Sequence, residues 1–515
     1  MRARKPIRGV HFRRPVPALA PPSARPEVAA DLGAALHAFV ADLLPLRRCI
    51  TGDGLRQTLL AIGERVPLRI SEVPTGTPIL DWTVPKEWRV REAYIEHEGR
   101  RVVDWADSPL ALVQYSVAAR DRMPLWALRS HLHTLPDQPA LVPYRTSYYA
   151  PTWGFCLSQD RLDALAAEVG ESAELDVVID AEQIDGSLTY GEVVVPGETA
   201  DEILLSAHAC HPALANDNAS SLAVATVLAR RLLDGPTPRH TIRFVFAPGT
   251  VGAIAWLDRN HATVSRIRHG LVLANLGDRG GFTYKQSRAA LVGPPAPIDR
   301  AAPLALRDLG HAVEVRPFEP TGYDERQYNS PGFALPVGRL TRTAHGEYPE
   351  YHTSGDDLDL VTPESLADSL DALDAIVRAL DEDGVYRNTQ PHGEPQLGRR
   401  GLYASLGGLP NGPEAQQAAL WVLNLSDGAH SLVDVAERSG LPFATVRAAA
   451  DRLAEAGLLT SAARTAVSRA ARTPTPRATT RCPSGCRSWS RGGRAPTSGT
   501  STATATSSTA RACAP

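Results

Sequence analysis

Apolar positions change their period several times along the chain. From Glu27 to about Ile70 they recur every three to four residues, which predicts helix, with one helix through Ala34–Leu44. Residues 86–197 read differently. W-R-V-R-E-A-Y-I-E, R-R-V-V-D-W and L-D-V-V-I-D-A are strand-like and are separated by turn signals. From Glu202 to about Leu380, strands and helices alternate. D-E-I-L-L-S-A, T-I-R-F-V-F-A and H-G-L-V-L-A-N-L predict strands; S-L-A-V-A-T-V-L-A-R-R-L-L and A-I-A-W-L-D-R predict helices. Asn218 or Ser220 stands near the start of the first of these helices. Such alternation predicts an α/β fold, a mixed sheet covered by helices on both faces. Ligands of such a sheet gather at the carboxyl ends of its strands, where His208 and Asp278 fall.

The same pattern divides the chain. Residues 27–85 and 198–385 form the α/β domain, and 86–197 a β-rich domain inserted into it. Residues 386–413 are a Gly/Pro-rich linker, and 414–460 a small helical unit with a helix–turn–helix look and Gly440 in the turn. The Pro- and Arg-rich residues 1–26 and the Ser/Thr/Ala/Arg-rich residues 461–515 are expected to be disordered.

A length of 515 residues exceeds one compact core, so two to four domains are expected. The formal charge of -3 hides an asymmetry. Residues 461–515 carry nine Arg and no acid, which leaves about -12 on the rest. The balance gives no argument for nucleic acid. In the helix–turn–helix, Arg447 and Arg452 are offset by Asp451 and Glu455, so the expectation there is interdomain packing or homo-oligomerisation. The six Cys show no disulfide framework, which favours a reducing compartment. The basic N-terminus lacks an apolar signal core, and no run approaches the ~18 apolar residues of a membrane span. A cytoplasmic location is the expectation, with no membrane partner.

The stretch S-A-H-A-C-H-P-A-L-A-N-D-N-A-S, Ser206 to Ser220, carries the candidate chemistry. His208, His211 and Asp217 fall within ten residues, and neutral imidazoles with a carboxylate suit zinc. Asp324 and His352 mark a second cluster. Ligands drawn from distant loops point to a catalytic site. Blander readings stand beside these. Asp278 is also an ordinary turn residue, and His211, before Pro212, could fix a loop. Cys156 suits a small core position. Asp324, Glu325 and Arg326 bind metal, clamp a charged substrate end, or form a solvated loop. Tyr348 and Tyr351 line the pocket or simply pack.

These residues resemble the bacterial zinc aminopeptidase clan, and more closely its aminopeptidase-like branch associated with polysaccharide biosynthesis. The resemblance rests on D-W-T-V-P-K-E-W at 81–88, T-S-Y-Y at 146–149, W-G-F-C at 153–156 and C-H-P-A-L-A-N-D-N at 210–218. It rests also on D-E-R-Q-Y at 324–328 and G-E-Y-P-E-Y-H-T-S at 346–354. It covers about residues 27–460 and implies a split catalytic domain, a β-rich insertion and a C-terminal winged helix. It implies one or two zinc ions on His208, Asp217, Asp278 and His352, with Asp217 as the bridging carboxylate. Cys210 stands where the clan has an Asp that orients the first His.

One departure weighs heavily. The clan's general-base Glu follows the next strand, where this chain reads A-P-G-T-V-G and has Gly249. Glu325 is a weak substitute. The resemblance implies a zinc-dependent amide hydrolase of a small peptide or acylamino compound, with activity in doubt. The alternatives are a pseudoenzyme that keeps the pocket for binding or scaffolding, and a ligand-sensing, DNA-associated regulator.

Overall fold

The computed structural model describes residues 26–148, 150–402 and 412–462. Residues 1–25 and 463–515 of the two expected tails lie outside these residues, as does Tyr149 of the T-S-Y-Y motif; Pro26 opens a helix and Ser461 ends a strand.

Eight strands form the central sheet. They are β1 (Arg69–Pro74), β2 (Ser187–Val195), β3 (Thr199–His208), β4 (His240–Ala247), β5 (Ile267–Leu273), β6 (Phe282–Lys285), β7 (Val313–Arg316) and β8 (Val337–Thr341). Their order is β1-β2-β4-β3-β5-β8-β6-β7. The central β4-β3-β5-β8 block is parallel, and β1, β2 and β6 make the sheet mixed. Consecutive residues of β3 feed opposite faces. Ile203, Leu205 and Ala207 join one apolar core, and Leu204 joins the other. This is why β3 reads as an unbroken apolar run: both of its faces are covered.

Helices Pro26–Leu43, Ser221–Asp234, Pro297–Asp308 and Pro363–Glu382 cover the first face. Helix Val251–Arg259 and the insertion cover the second. The predicted helix at the N-terminal end exists and starts earlier than expected. Ser220 occupies the N-cap position of helix Ser221–Asp234 without capping it. Its hydroxyl donates to the Asn216 carbonyl at 2.7 Å instead.

The insertion is built on a four-stranded sheet in the order Arg100–Asp104, Glu87–His97, Glu174–Ile184, Ala119–Pro124. Ser187–Val195, counted on its sequence pattern with the insertion, lies in the main sheet between β1 and β4. Strand patterning alone does not tell which sheet a strand joins. Buried Glu87 spans the junction. It receives Arg56 Nη1 at 3.1 Å and the Ser187 N–H at 3.2 Å.

The C-terminal unit carries a three-stranded wing of Val385–Asn388, Asp427–Ser431 and Leu459–Ser461. The segment expected as linker therefore begins with a strand of the wing. Its register with two later strands is a non-local fact that a Gly/Pro-rich composition cannot carry. Helices Leu432–Ser439 and Phe443–Glu455 complete the helix–turn–helix, with Gly440 at φ +71 ending the first.

Candidate metal centre

Every candidate ligand sits at the carboxyl end of the parallel block or on a loop that returns to it. His208 is the last residue of β3. Asp217 follows in the irregular turn Ala215–Ser220, and His352 comes from the loop after β8.

Asp217 is fully buried and stands at the middle of the cluster. His208 Nε2 lies 2.8 Å from its Oδ1, and His352 Nε2 lies 3.1 Å from its Oδ2. One carboxylate thus faces two imidazoles, one with each oxygen. His211 completes a group with His208 and Asp217 whose ligand atoms lie within 4.8 Å of one another. Burial opposes ionisation of Asp217. The His211 and His208 imidazoles and hydrogen bonds from His208 and His352 nevertheless hold its carboxyl well below the usual carboxylate range. Burial holds His211 far below the ordinary imidazole value. A buried carboxylate facing two imidazoles is a donor set that fits zinc.

A second layer fixes these groups. Asp356 accepts the backbone N–H of Asn216 at 2.5 Å and of Asp217 at 3.0 Å, and the Tyr348 hydroxyl at 3.2 Å. Burial pushes the Asp356 carboxyl up to about 7, and the negative charge of Asp217 adds to the effect. Asn218 Nδ2 contacts His208 Nδ1 at 3.2 Å. Buried Arg48 donates to the His211 carbonyl at 2.6 Å. Tyr323 stacks on His208, and Tyr351 stacks on His352 with ring centres 3.9 Å apart. Tyr144, from the insertion, packs edge-on against His352. Sequence reasoning missed Asp356, Asn218, Arg48, Tyr144 and Tyr323. Asp356 lies only four residues past His352, and Asn218 abuts Asp217, so both stood within reach.

The other candidates have partners of their own. Asp278 is not in the ligand group: its carboxylate accepts Asn216 Nδ2 at 2.9 Å, Thr343 Oγ1 at 2.6 Å and the Gly280 N–H at 2.7 Å. It holds loops together, as Asp residues after strands commonly do. Glu325 is buried and paired with Lys285 at 2.9 Å, so it is no free base. Asp324 and Arg326 neither join the ligand group nor form a solvated loop. Asp324 accepts the Thr250 N–H at 2.6 Å, and Arg326 donates to Thr250 Oγ1 at 3.3 Å. Together they hold Thr250, whose φ is +59, beside Gly249. Burial pushes Asp324 up to about 6, against the charge of His208. Cys156 is a buried core residue.

Gly249 borders the centre. Its N–H donates to Cys210 Sγ at 3.2 Å. A Cβ placed there would lie 3.5 Å from Cys210 Sγ and 3.8 Å from His208 Cβ, ordinary contacts. The position is open to a side chain and has none.

Known proteins resemble this chain over most of its length. A family described as a domain of unknown function, DUF4910, matches residues 37–383, and a winged helix-turn-helix family matches 384–461. A protein of Clostridium acetobutylicum described as a putative polysaccharide biosynthesis protein with aminopeptidase-like domain is 40% identical over 430 residues. The match covers 83% of this chain and 96% of that one. The crystal structure of a putative peptidase from the same organism superimposes with a TM-score of 0.78 at 38% identity, covering 84% of this chain and 98% of that one. BSAP, a zinc aminopeptidase from Bacillus subtilis, gives a TM-score of 0.50 at 13% identity over 68% of this chain and 94% of its own, a likeness of fold. With an aminopeptidase-like α/β fold, a cluster at the strand ends and a match across most of its length, the chain belongs to the DUF4910 family, extended by a winged helix.

Proposed function

We propose that this protein is a zinc-dependent, aminopeptidase-like amide hydrolase. It acts on a small peptide or acylamino compound, in the making of a polysaccharide or specialised metabolite. The observation that carries the reading is Asp217, buried and facing His208 and His352 with separate oxygens. That arrangement suits a carboxylate shared between metal positions, with His211 at hand as a further ligand. Zinc held there would polarise a carbonyl and lower the pKa of water to about 7.

The chain's own residues do the rest. Asp356 keeps the Asp217 backbone in place. Tyr144, Tyr323 and Tyr351 wall the centre by packing on the His352 and His208 rings. No side chain at position 249 takes the proton that amide hydrolysis must move. Asp324 is occupied by Thr250 and does not replace it. A positioned base contributes about 10²–10⁴-fold, so slow turnover is expected. Gly249 is also what favours a second reading, a pseudoenzyme that binds without turning over.

Zinc content and a chromogenic aminoacyl amide assay test both. The hydrolase reading expects stoichiometric zinc, lost in Asp217→Asn, and weak hydrolysis that Gly249→Glu raises about 10²–10⁴-fold. Zinc bound with no hydrolysis in the wild type, and activity only in Gly249→Glu, selects the pseudoenzyme. Absence of zinc from the purified and zinc-reconstituted protein defeats both.

A further inference from the structure

A second group of charged side chains adjoins Tyr323, the ring that stacks on His208. Lys285 ends β6 and Arg339 lies in β8, and both are buried. Lys285 Nζ donates to Glu325 Oε1 at 2.9 Å and to the Thr321 carbonyl at 2.6 Å. Arg339 Nη1 donates to the same Glu325 oxygen at 3.4 Å and to His345 Nδ1 at 3.2 Å. Two buried cations thus share one carboxylate. Arg339 Nε and Glu325 Oε2 are buried with no hydrogen-bond partner among the described residues.

Three further facts place this group beside the metal centre and give it a donor. Arg339 only donates, so His345 Nδ1 accepts and the ring proton of a neutral imidazole sits on Nε2, a free donor. His345 is half-buried, 5.3 Å from Tyr323 and 6.4 Å from Tyr351 between ring centres, and so borders the metal centre. The chain crosses the cluster at Gly322, with φ +102. A Cβ there would lie 2.6 Å from Arg339 Nη1 and Glu325 Oε1 and 3.3 Å from Lys285 Nζ. The charged heads therefore converge directly under the Gly322 backbone, which has no room for a side chain.

An uncompensated buried charge is costly, and a purely structural ion pair leaves no surplus. Here an orphaned guanidinium N–H stands next to the candidate reaction centre. We propose that Arg339, Lys285 and His345 form an anion-recognising subsite for a carboxylate of the substrate. The substrate class narrows to N-acyl amino acids and short peptides with a carboxylate near the scissile amide. The guanidinium fork matches carboxylate geometry. This assignment rests on reading the neighbouring cluster as the reaction centre.

The test compares N-acetylglycine with N-acetylglycinamide by titration calorimetry of the full chain, both zinc-loaded and chelator-treated. The chelated arm removes any direct bond between carboxylate and metal. The wild type is expected to prefer the carboxylate about tenfold or more in both arms, as loss of a charge-assisted hydrogen bond implies. Arg339→Gln and His345→Phe are expected to bring the preference within about twofold, with zinc content unchanged. If Arg339→Gln does not fold, the half-buried His345→Phe carries the test. Equal affinities in the wild type, or a preference that survives His345→Phe and a folded Arg339→Gln, overturn the subsite. A wild type that binds no zinc yet keeps the preference upholds the subsite and overturns the metal reading alone.

Discussion

At Gly249 the backbone N–H points to Cys210 Sγ, and the space in front of the α-carbon is open. Gly249→Ala is therefore expected to change stability by no more than about 0.5 kcal/mol, within the range of strain-free substitutions. A urea midpoint checks this, and a flat result assigns any gain in Gly249→Glu to chemistry. Glu87 gives a pH dependence at the same scale. Burial opposes its ionisation, but hydrogen bonds from Arg56, the Ser187 N–H and Arg89 bring its carboxyl down to about 2. An unfolded Glu titrates near 4.3. The stabilisation is fully present above about pH 4.3 and is lost as pH falls through about 2. Over that window the stability of the wild type is expected to fall more steeply than that of Glu87→Gln, as urea midpoints measured at each pH would reveal. The proximity of His208, Asp217 and His352 was legible from the motifs that carry the family resemblance, since Asp217 faces both imidazoles. Asp278 stayed open in the sequence because a turn Asp and a ligand Asp look alike in one dimension; its partners Asn216 and Thr343 favour the turn reading.

Between elements, the winged helix is docked and not tethered. Arg300, on helix Pro297–Asp308, donates to Asp434 at 2.5 Å and also to Glu437. Asp308 accepts the Phe443 N–H at 2.7 Å, at the start of the second helix. Arg447 donates to the Glu382 carbonyl at 2.9 Å. Arg300→Ala removes a partly buried pair and is expected to cost about 1–3 kcal/mol of docking. Faster backbone hydrogen exchange over residues 427–461, with the central sheet unchanged, would register it. The helices of this unit were legible from their period and the Gly440 stop. The first strand of its wing was not, because Val385–Asn388 gains its identity only from partners about forty and seventy residues later. The same holds for β2, whose pattern suits either sheet.

For the whole molecule, that docking bears on nucleic acid. A recognition helix reads a groove with its N-terminal residues. Here that end is held by Asp308, and Arg447 is engaged by Asp451 and Glu382. No retention on duplex DNA is expected at low salt, where phosphate contacts are strongest; a gel shift at low ionic strength would check it. Among the described residues, no helix is long and apolar enough to cross a membrane.

Pro74 and Ser187 face each other across the β1–β2 ladder. The insertion thus hangs from the main sheet as an enlarged hairpin loop, with entrance and exit side by side. Its Tyr144 N–H nonetheless donates to the His352 carbonyl, and Pro143 bridges to Thr353. Everything proposed to grip the metal belongs to the sheet domain, while Tyr144, which packs on His352, arrives on a cassette whose ends leave the sheet side by side. Descendants of this architecture could exchange the cassette and change what enters, and the ion would keep its seat.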